Sequence, residues 1–244
     1  LPPAGGGHPL EPREPIKGLR KAMADAMVAS AFSAPHVTEW ITVDVTRSME
    51  LVETVKQHPE LSGAKVTPLV LLARACVLAL RRTPVINSTW DDAAKEIVTK
   101  SYVHLGIAAA TPRGLVVPNI KDANRLDLTQ LSTALDSLVE TARAGGTQPA
   151  DMAGGTFTIT NVGVFGVDAG TPIINPGESA ILCFGAIRRQ PWVVSVGASE
   201  RVVPRDVTTL ALAFDHRHID GAAASAFLAD VALYMQDPAV ALLA

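Results

Sequence analysis

Ala213-Phe214-Asp215-His216-Arg217-His218-Ile219-Asp220-Gly221 lies between two runs of different character. Upstream, Val207-Thr-Thr-Leu-Ala-Leu-Ala213 is short and apolar, as a buried strand is. Downstream, Ala222 to Tyr234 reads as a helix. The stretch is therefore strand, tight turn, helix. His216 sits on the turn, with Asp220 four residues on and Gly221 opening the helix. A turn held at both ends by rigid elements can present a base at the mouth of a cleft.

The neighbouring segments read as further strands and helices. Trp192–Val196 and Arg201–Phe214 form a predicted hairpin leading into the turn. Asn175-Pro-Gly-Glu-Ser-Ala-Ile-Leu-Cys-Phe-Gly-Ala-Ile187 reads as a loop entering a core strand. In Gly154-Gly-Thr-Phe-Thr-Ile-Thr-Asn-Val-Gly-Val-Phe-Gly166, Thr156–Thr160 alternates as a strand and Asn161-Val-Gly163 turns away. Leu126–Ala144 is an amphipathic helix closed by Gly145-Gly146. Residues 95–120 give short strands around a turn at Thr111-Pro-Arg-Gly114. Pro68 starts a helix, apolar nearly all round, that runs to Arg82. Thr46 is expected to cap a helix ending near Gln57. His36–Val45 is a β-branched strand, and Ile16–Phe32 a helix. Residues 1–15, with five prolines and three glycines, are expected to be a flexible linker, leaving one domain over 16–244. The end, Asp237-Pro-Ala-Val-Ala-Leu-Leu-Ala244, is an apolar tail.

Composition narrows the classes of function. The chain is 48% hydrophobic and 18% charged, with a formal net charge of -3, so nucleic acid is not the expected partner. No apolar run approaches the roughly 18 residues that span a bilayer, so no membrane association is expected. No charged-then-apolar stretch at its start reads as a signal peptide, so none is expected. Cys76 and Cys183 sit in apolar runs and read as buried thiols of a reducing compartment.

Several blocks carry a resemblance. Asp215-His-Arg-x-x-Asp220-Gly, Thr111-Pro-Arg-Gly-Leu-Val-Val-Pro118, Gly155-Thr-Phe-Thr-Ile-Thr160-Asn-Val-Gly163 and Ser33-Ala-Pro-His36-Val-Thr occur in one order. Together, over about residues 16–244, they resemble the dihydrolipoamide acyltransferase (E2) cores of the 2-oxo acid dehydrogenase complexes, relatives of chloramphenicol acetyltransferase. The resemblance implies an α/β fold, a mixed sheet with packed helices, in a homotrimer that in some relatives builds a 24-mer or a 60-mer. It implies acyl transfer between S-acyldihydrolipoamide, carried on a separate lipoyl domain, and coenzyme A. Branched-chain is the first expectation for the acyl group and pyruvate the second. E1 and E3 components would be met through domains outside this chain. The compartment expected is the cytoplasm, or the mitochondrial matrix in a eukaryote.

The chemistry fits the residues. Acyl exchange between thiols needs a thiolate, and a free thiol with a pKa of about 8.5 is mostly protonated near neutrality. A neutral imidazole can take that proton and return it to the leaving thiol, worth roughly 10²–10⁴-fold. The resemblance assigns the base to His216, an electrostatic and structural role through a loop ion pair to Asp220, and the oxyanion-stabilising hydroxyl to Thr160 of a neighbouring subunit. Asp215 and Arg217 read as ion-pair formers. Cys183 stands where a smaller residue is expected. His36, at a strand end, is left open between a structural and a functional role, and no role is assigned to His218. His216 and His218 could share a face, but no third ligand has zinc-like spacing, so no metal is expected. Gly163, Gly166 and Gly170 lack the spacing of a phosphate loop. Arg20, Lys21, Arg113 and Lys121 are available cations for the coenzyme A phosphates, none assigned. Two alternatives compete: a stand-alone acetyltransferase of this fold, against which the proline-rich leader argues, and a non-catalytic scaffold subunit, against which His216, Asp220 and Thr160 argue.

Overall fold

The sheet grows outward from the long strand that ends at Asp215. The computed structural model describes residues 11–58, 65–111, 114–197 and 199–243. The first ten residues of the expected linker, and Pro112 and Arg113 of the expected turn, lie outside them. In chain order the elements are α1 (Gly18–Ser33), β1 (His36–Asp44), α2 (Thr46–Gln57), α3 (Pro68–Arg82), β2 (Ser88–Asp91), β3 (Glu96–Thr99), β4 (Leu105–Thr111), β5 (Gly114–Val116), β6 (Asn119–Ile120), α4 (Leu128–Arg143), α5 (Pro149–Met152), β7 (Phe157–Asn161), β8 (Ala180–Phe184), β9 (Arg188–Val196), β10 (Ser199–Asp215) and α6 (Gly221–Gln236).

The main sheet runs β1-β10-β8-β7-β4-β5, with β6 on β4 and β9 on β10. β4, β7 and β8 are parallel neighbours, and β10 is antiparallel to β8, β9 and β1, so the sheet is mixed. The expected α/β fold is the one observed.

Alternation along the strands divides the sheet into two faces. On one, Phe157, Ile159, Leu182, Phe184, Leu210, Leu212 and Phe214 are buried in the main apolar core together with residues of α3 and α6. There, Phe157 meets Phe227 of α6 edge-on, with ring centroids 5.5 Å apart. The other face is lined by small side chains. Register puts Trp40, Ala211, Cys183, Thr160 and Ala108 in one row across β1, β10, β8, β7 and β4. Gly106, paired with Thr158, must lack a side chain: a Cβ there would come within 2.5 Å of Thr158 Oγ1.

Some local expectations change. Thr46 begins α2 instead of capping it; the capping position is Val45, and the side chain that binds the helix start is that of Asp44. Its Oδ1 accepts from the Thr46 N–H at 2.9 Å and from the Thr46 hydroxyl at 2.5 Å. The Thr46 oxygen in turn accepts from the Asp206 N–H, tying α2 to β10. α4 starts at Leu128 rather than Leu126, because Asp127 and Gln130 form a reciprocal capping box. β2 and α5 were not expected. No helix among the described residues is long and apolar enough to cross a membrane.

Candidate active site

Asp215 organises the turn. Its carboxylate, on a side chain only 3% exposed, accepts from Arg217 through the backbone N–H at 3.0 Å, Nε at 3.0 Å and Nη2 at 2.6 Å. Its carbonyl oxygen accepts from the N–H groups of His218 and Ile219. Arg217 lies over the Trp90 ring, 4.9 Å from its centroid. The expected pairing of Asp215 with Arg217 is therefore present. Hydrogen bonding to Asp215 holds the Arg217 guanidinium above its usual range.

His216 is exposed. Its N–H donates to the Pro35 carbonyl at 3.0 Å, and its ring lies 5.6 Å from that of Phe214. His218 points the other way. Its side chain is fully buried, with Nε2 2.9 Å from Ser88 Oγ and Nδ1 3.9 Å from Asp215 Oδ2. Burial pushes its pKa down, against the pull of Asp215. The two histidines do not converge, and no group of three or more metal-ligating side chains occurs among the described residues.

Asp220, expected to hold the loop through an ion pair, stands at the start of α6. It caps α6, accepting the Ala223 N–H at 2.8 Å, and no ion pair reaches it among the described residues. An N-cap carboxylate stabilises a helix start by typically ~1 kcal/mol and fixes where the turn ends. The loop is held by Asp215 instead.

Thr160 is half-buried on the small-residue face of β7. Register places it level with Ala211, four residues before Asp215 and two strands away. At about 3.3 Å per residue and about 4.8 Å per strand, that is roughly 16 Å. One chain therefore does not bring Thr160 and His216 together.

Around the turn stand His36, whose role the sequence leaves open, and Glu178, which no sequence motif singles out. His36 bridges Ala34 and Ile174. Glu178 is buried with Oε1 on Asn175 Nδ2 at 3.1 Å and Oε2 without a donor. Burial pushes Glu178 up to about 7, while Thr158, Asn175 and the Lys100 charge pull the other way. A 170 Å³ cleft here is lined by Ser30, Trp90, Pro176, Glu178, Asp215 and Arg217 among others. Of the available cations, Arg20 is paired with Glu14 and Lys21 with Asp25, while Lys121 donates to the Ala153 carbonyl. Arg113 lies outside the described residues.

Comparison with known proteins adds the following. The family of 2-oxoacid dehydrogenases acyltransferase (catalytic domain) matches residues 8–243. The dihydrolipoyllysine-residue acetyltransferase component of the pyruvate dehydrogenase complex of Bacillus subtilis (strain 168) is 40% identical over 99% of this chain and 54% of its own length. The chain spans about half the length of the curated relatives it matches. Among solved structures, Azotobacter vinelandii dihydrolipoamide acetyltransferase superposes with a TM-score of 0.88 at 33% identity, over 99% of this chain and 100% of that one. The cubic core of a pyruvate dehydrogenase multienzyme complex does so with a TM-score of 0.88 at 32% identity, over the same shares. Chloramphenicol acetyltransferase, at 13% identity and a TM-score of 0.55 over 90% of this chain and 96% of that one, shares the fold alone.

Proposed function

The chain belongs to the 2-oxoacid dehydrogenase acyltransferases, as one of their catalytic domains, and from that premise we propose that it transfers an acetyl group between S-acetyldihydrolipoamide and coenzyme A at a site shared by two subunits. His216 takes the proton of the coenzyme A thiol. The sulfur attacks the thioester carbonyl, and the Thr160 hydroxyl of the adjoining subunit donates to the oxyanion. The intermediate collapses, the dihydrolipoamide sulfur leaves, and the imidazolium returns its proton to that sulfur. Lipoamide arrives on a domain beyond this chain, and the larger complex supplies the E1 and E3 partners.

The observation that carries this reading is the roughly 16 Å between Thr160 and the His216 turn within one chain, set against the ~3 Å reach of a hydrogen bond. A base and an oxyanion donor that far apart serve one thioester only if the donor comes from another copy. The exposed Trp40, in the same row as Thr160, gives that copy a surface to cover. A cyclic trimer closes such a heterologous contact, and one similar structure is the cubic core of a pyruvate dehydrogenase complex. The Azotobacter relative has been studied for the roles of a serine, a histidine and, four residues beyond it, an asparagine. His216 and Asp220 have that spacing, with Asp in place of Asn. Acetyl rather than branched acyl groups is favoured because the matched relatives are acetyltransferases, of pyruvate dehydrogenase complexes and of an acetoin cleaving system. This reverses the order expected from sequence.

Subunit mixing tests the shared site. His216→Ala and Thr160→Ala proteins should each be nearly inactive alone. Dissociated and reassembled at equal ratio, they should regain about a quarter of parental turnover, because one random interface in four joins an intact His216 to an intact Thr160. No recovery from properly mixed trimers would place both residues in one chain's site. With dihydrolipoamide as acceptor, acetyl-coenzyme A should outpace isobutyryl-, isovaleryl- and succinyl-coenzyme A.

A further inference from the structure

His36 has no free nitrogen. Its Nδ1 lies 2.7 Å from the Ala34 carbonyl oxygen, and its Nε2 lies 3.0 Å from the Ile174 backbone nitrogen. A carbonyl only accepts and an amide N–H only donates, so Nδ1 carries the proton and Nε2 offers its lone pair. The two bonds hold the ring in one orientation. Neither nitrogen is left to act as a base or to bind a metal.

The residues tied together surround the proposed base. Ile174 is held at both its backbone groups, the N–H by His36 and the carbonyl by the Ser30 hydroxyl at 2.6 Å. Between Ala34 and His36 stands Pro35, whose carbonyl accepts the His216 N–H at 3.0 Å. Register pairs His36 with Asp215, so His216 is the first residue past the paired end of β10. The short turn from Ala34 to His36 thus joins three segments: the end of α1, the loop at Ile174 and the turn bearing His216. α1 has little else to hold it, since Met23, Val28 and Phe32 are exposed.

We propose that His36 is a positioning residue for His216: clamped between Ala34 and Ile174, its imidazole fixes the turn whose Pro35 carbonyl sets the backbone of the base. The inference rests on the reading of His216 as that base. A displacement of about 1 Å in a reacting group can cost around 10²-fold in rate. Loss of the clamp therefore falls on kcat and leaves substrate binding in place.

Three variants of the assembled protein separate the two bonds. His36→Gln puts an oxygen near the position of Nε2 and keeps an acceptor for Ile174. His36→Asn keeps only a donor near Nδ1, and His36→Ala keeps neither. The Ala variant should lose about tenfold or more in kcat, with KM for coenzyme A and dihydrolipoamide within about twofold of the parent. Gln should recover kcat to within about threefold, and Asn should remain slow. If the Ala variant does not assemble, Gln against Asn carries the same comparison. Parental kcat in the Ala variant, a loss that Gln does not restore, or a rise in KM at unchanged kcat would each overturn the proposal. His216→Ala is measured alongside: parental turnover there would remove the base assignment itself, a failure distinct from a silent His36.

Discussion

Asp215 and Arg217, two residues apart on either side of His216, form a bidentate pair whose carboxylate is buried and whose guanidinium stacks on Trp90. The pair spans the proposed base. Its rigidity becomes that of His216, whose own ring makes no hydrogen bond within the described residues.

Asp215→Ala should therefore damage both stability and rate. It removes an acceptor for three Arg217 N–H groups and leaves a guanidinium without its partner. Removing one partner of a buried pair typically costs about 3–5 kcal/mol. The Arg217 side chain is 27% exposed, so the lower part of that range is expected. Arg217→Lys keeps the charge but loses the fork and the stack, and should cost about 1–2 kcal/mol. Thermal denaturation measures both, and kcat should fall more in the aspartate variant. Equal melting temperatures for parent and Asp215→Ala would show that the pair does not hold the turn.

Much of this arrangement was legible in the sequence. The strand–turn–helix around His216 is a local pattern, with a switch of periodicity at a Gly, and the structure reproduces it as β10 and α6. The buried helix from Pro68 was readable from its continuous apolar content, and the Asp215–Arg217 pair from adjacency. Contacts between distant segments were not readable. Nothing near Asp220 in sequence shows that its carboxylate is spent on the Ala223 N–H rather than on a cation. The role of His36 depends on Ile174, 138 residues away. Glu178 reads as an ordinary loop carboxylate until the fold buries it. β2 was missed because Ser88–Asp91 is four residues long, half-polar, and paired only with β3.

Glu178 and His218 should give stability opposite dependences on pH. Burial raises Glu178 from 4.5 to about 7. The folded state then keeps a proton that the unfolded chain releases between those values, so this contribution is complete below pH 4.5 and lost as pH rises to 7. At about 1.4 kcal/mol per pH unit from 4.5 to about 7, the loss is roughly 3–4 kcal/mol. His218 is pushed below its usual 6.5 by burial, so its contribution is complete above that pH and lost as pH falls. Glu178→Gln should stabilise the protein at pH 8 by about 1–3 kcal/mol. It should also unmask the acid loss from His218 below pH 6.5, which the parent partly offsets. Denaturant melts at pH 5, 6.5 and 8 measure this. Parallel pH profiles for parent and Glu178→Gln would show that the carboxyl is charged in the fold.

The row containing Thr160 argues for a test of acyl size. Cys183 is its partner on β8, and the Cys183 sulfur lies 3.5 Å from where a side chain on Gly170 would begin, so strand and loop are filled with one small residue between them. Burial pushes the Cys183 thiol up, which leaves it an inert filler rather than a nucleophile. Thr160→Ser keeps the hydroxyl and should retain most of the turnover. Thr160→Ala removes the oxyanion donor and should lose about 10²–10³-fold in kcat. Cys183→Gly opens space beside Thr160 without touching the hydroxyl. It should move the ratio of isobutyryl to acetyl turnover upward by about tenfold, the worth of one or two methylenes in a pocket. Steady-state kinetics with both donors reads all three variants. An unchanged ratio in Cys183→Gly, with acetyl turnover intact, would mean that the acyl chain lies on another side of Thr160, toward Ala108.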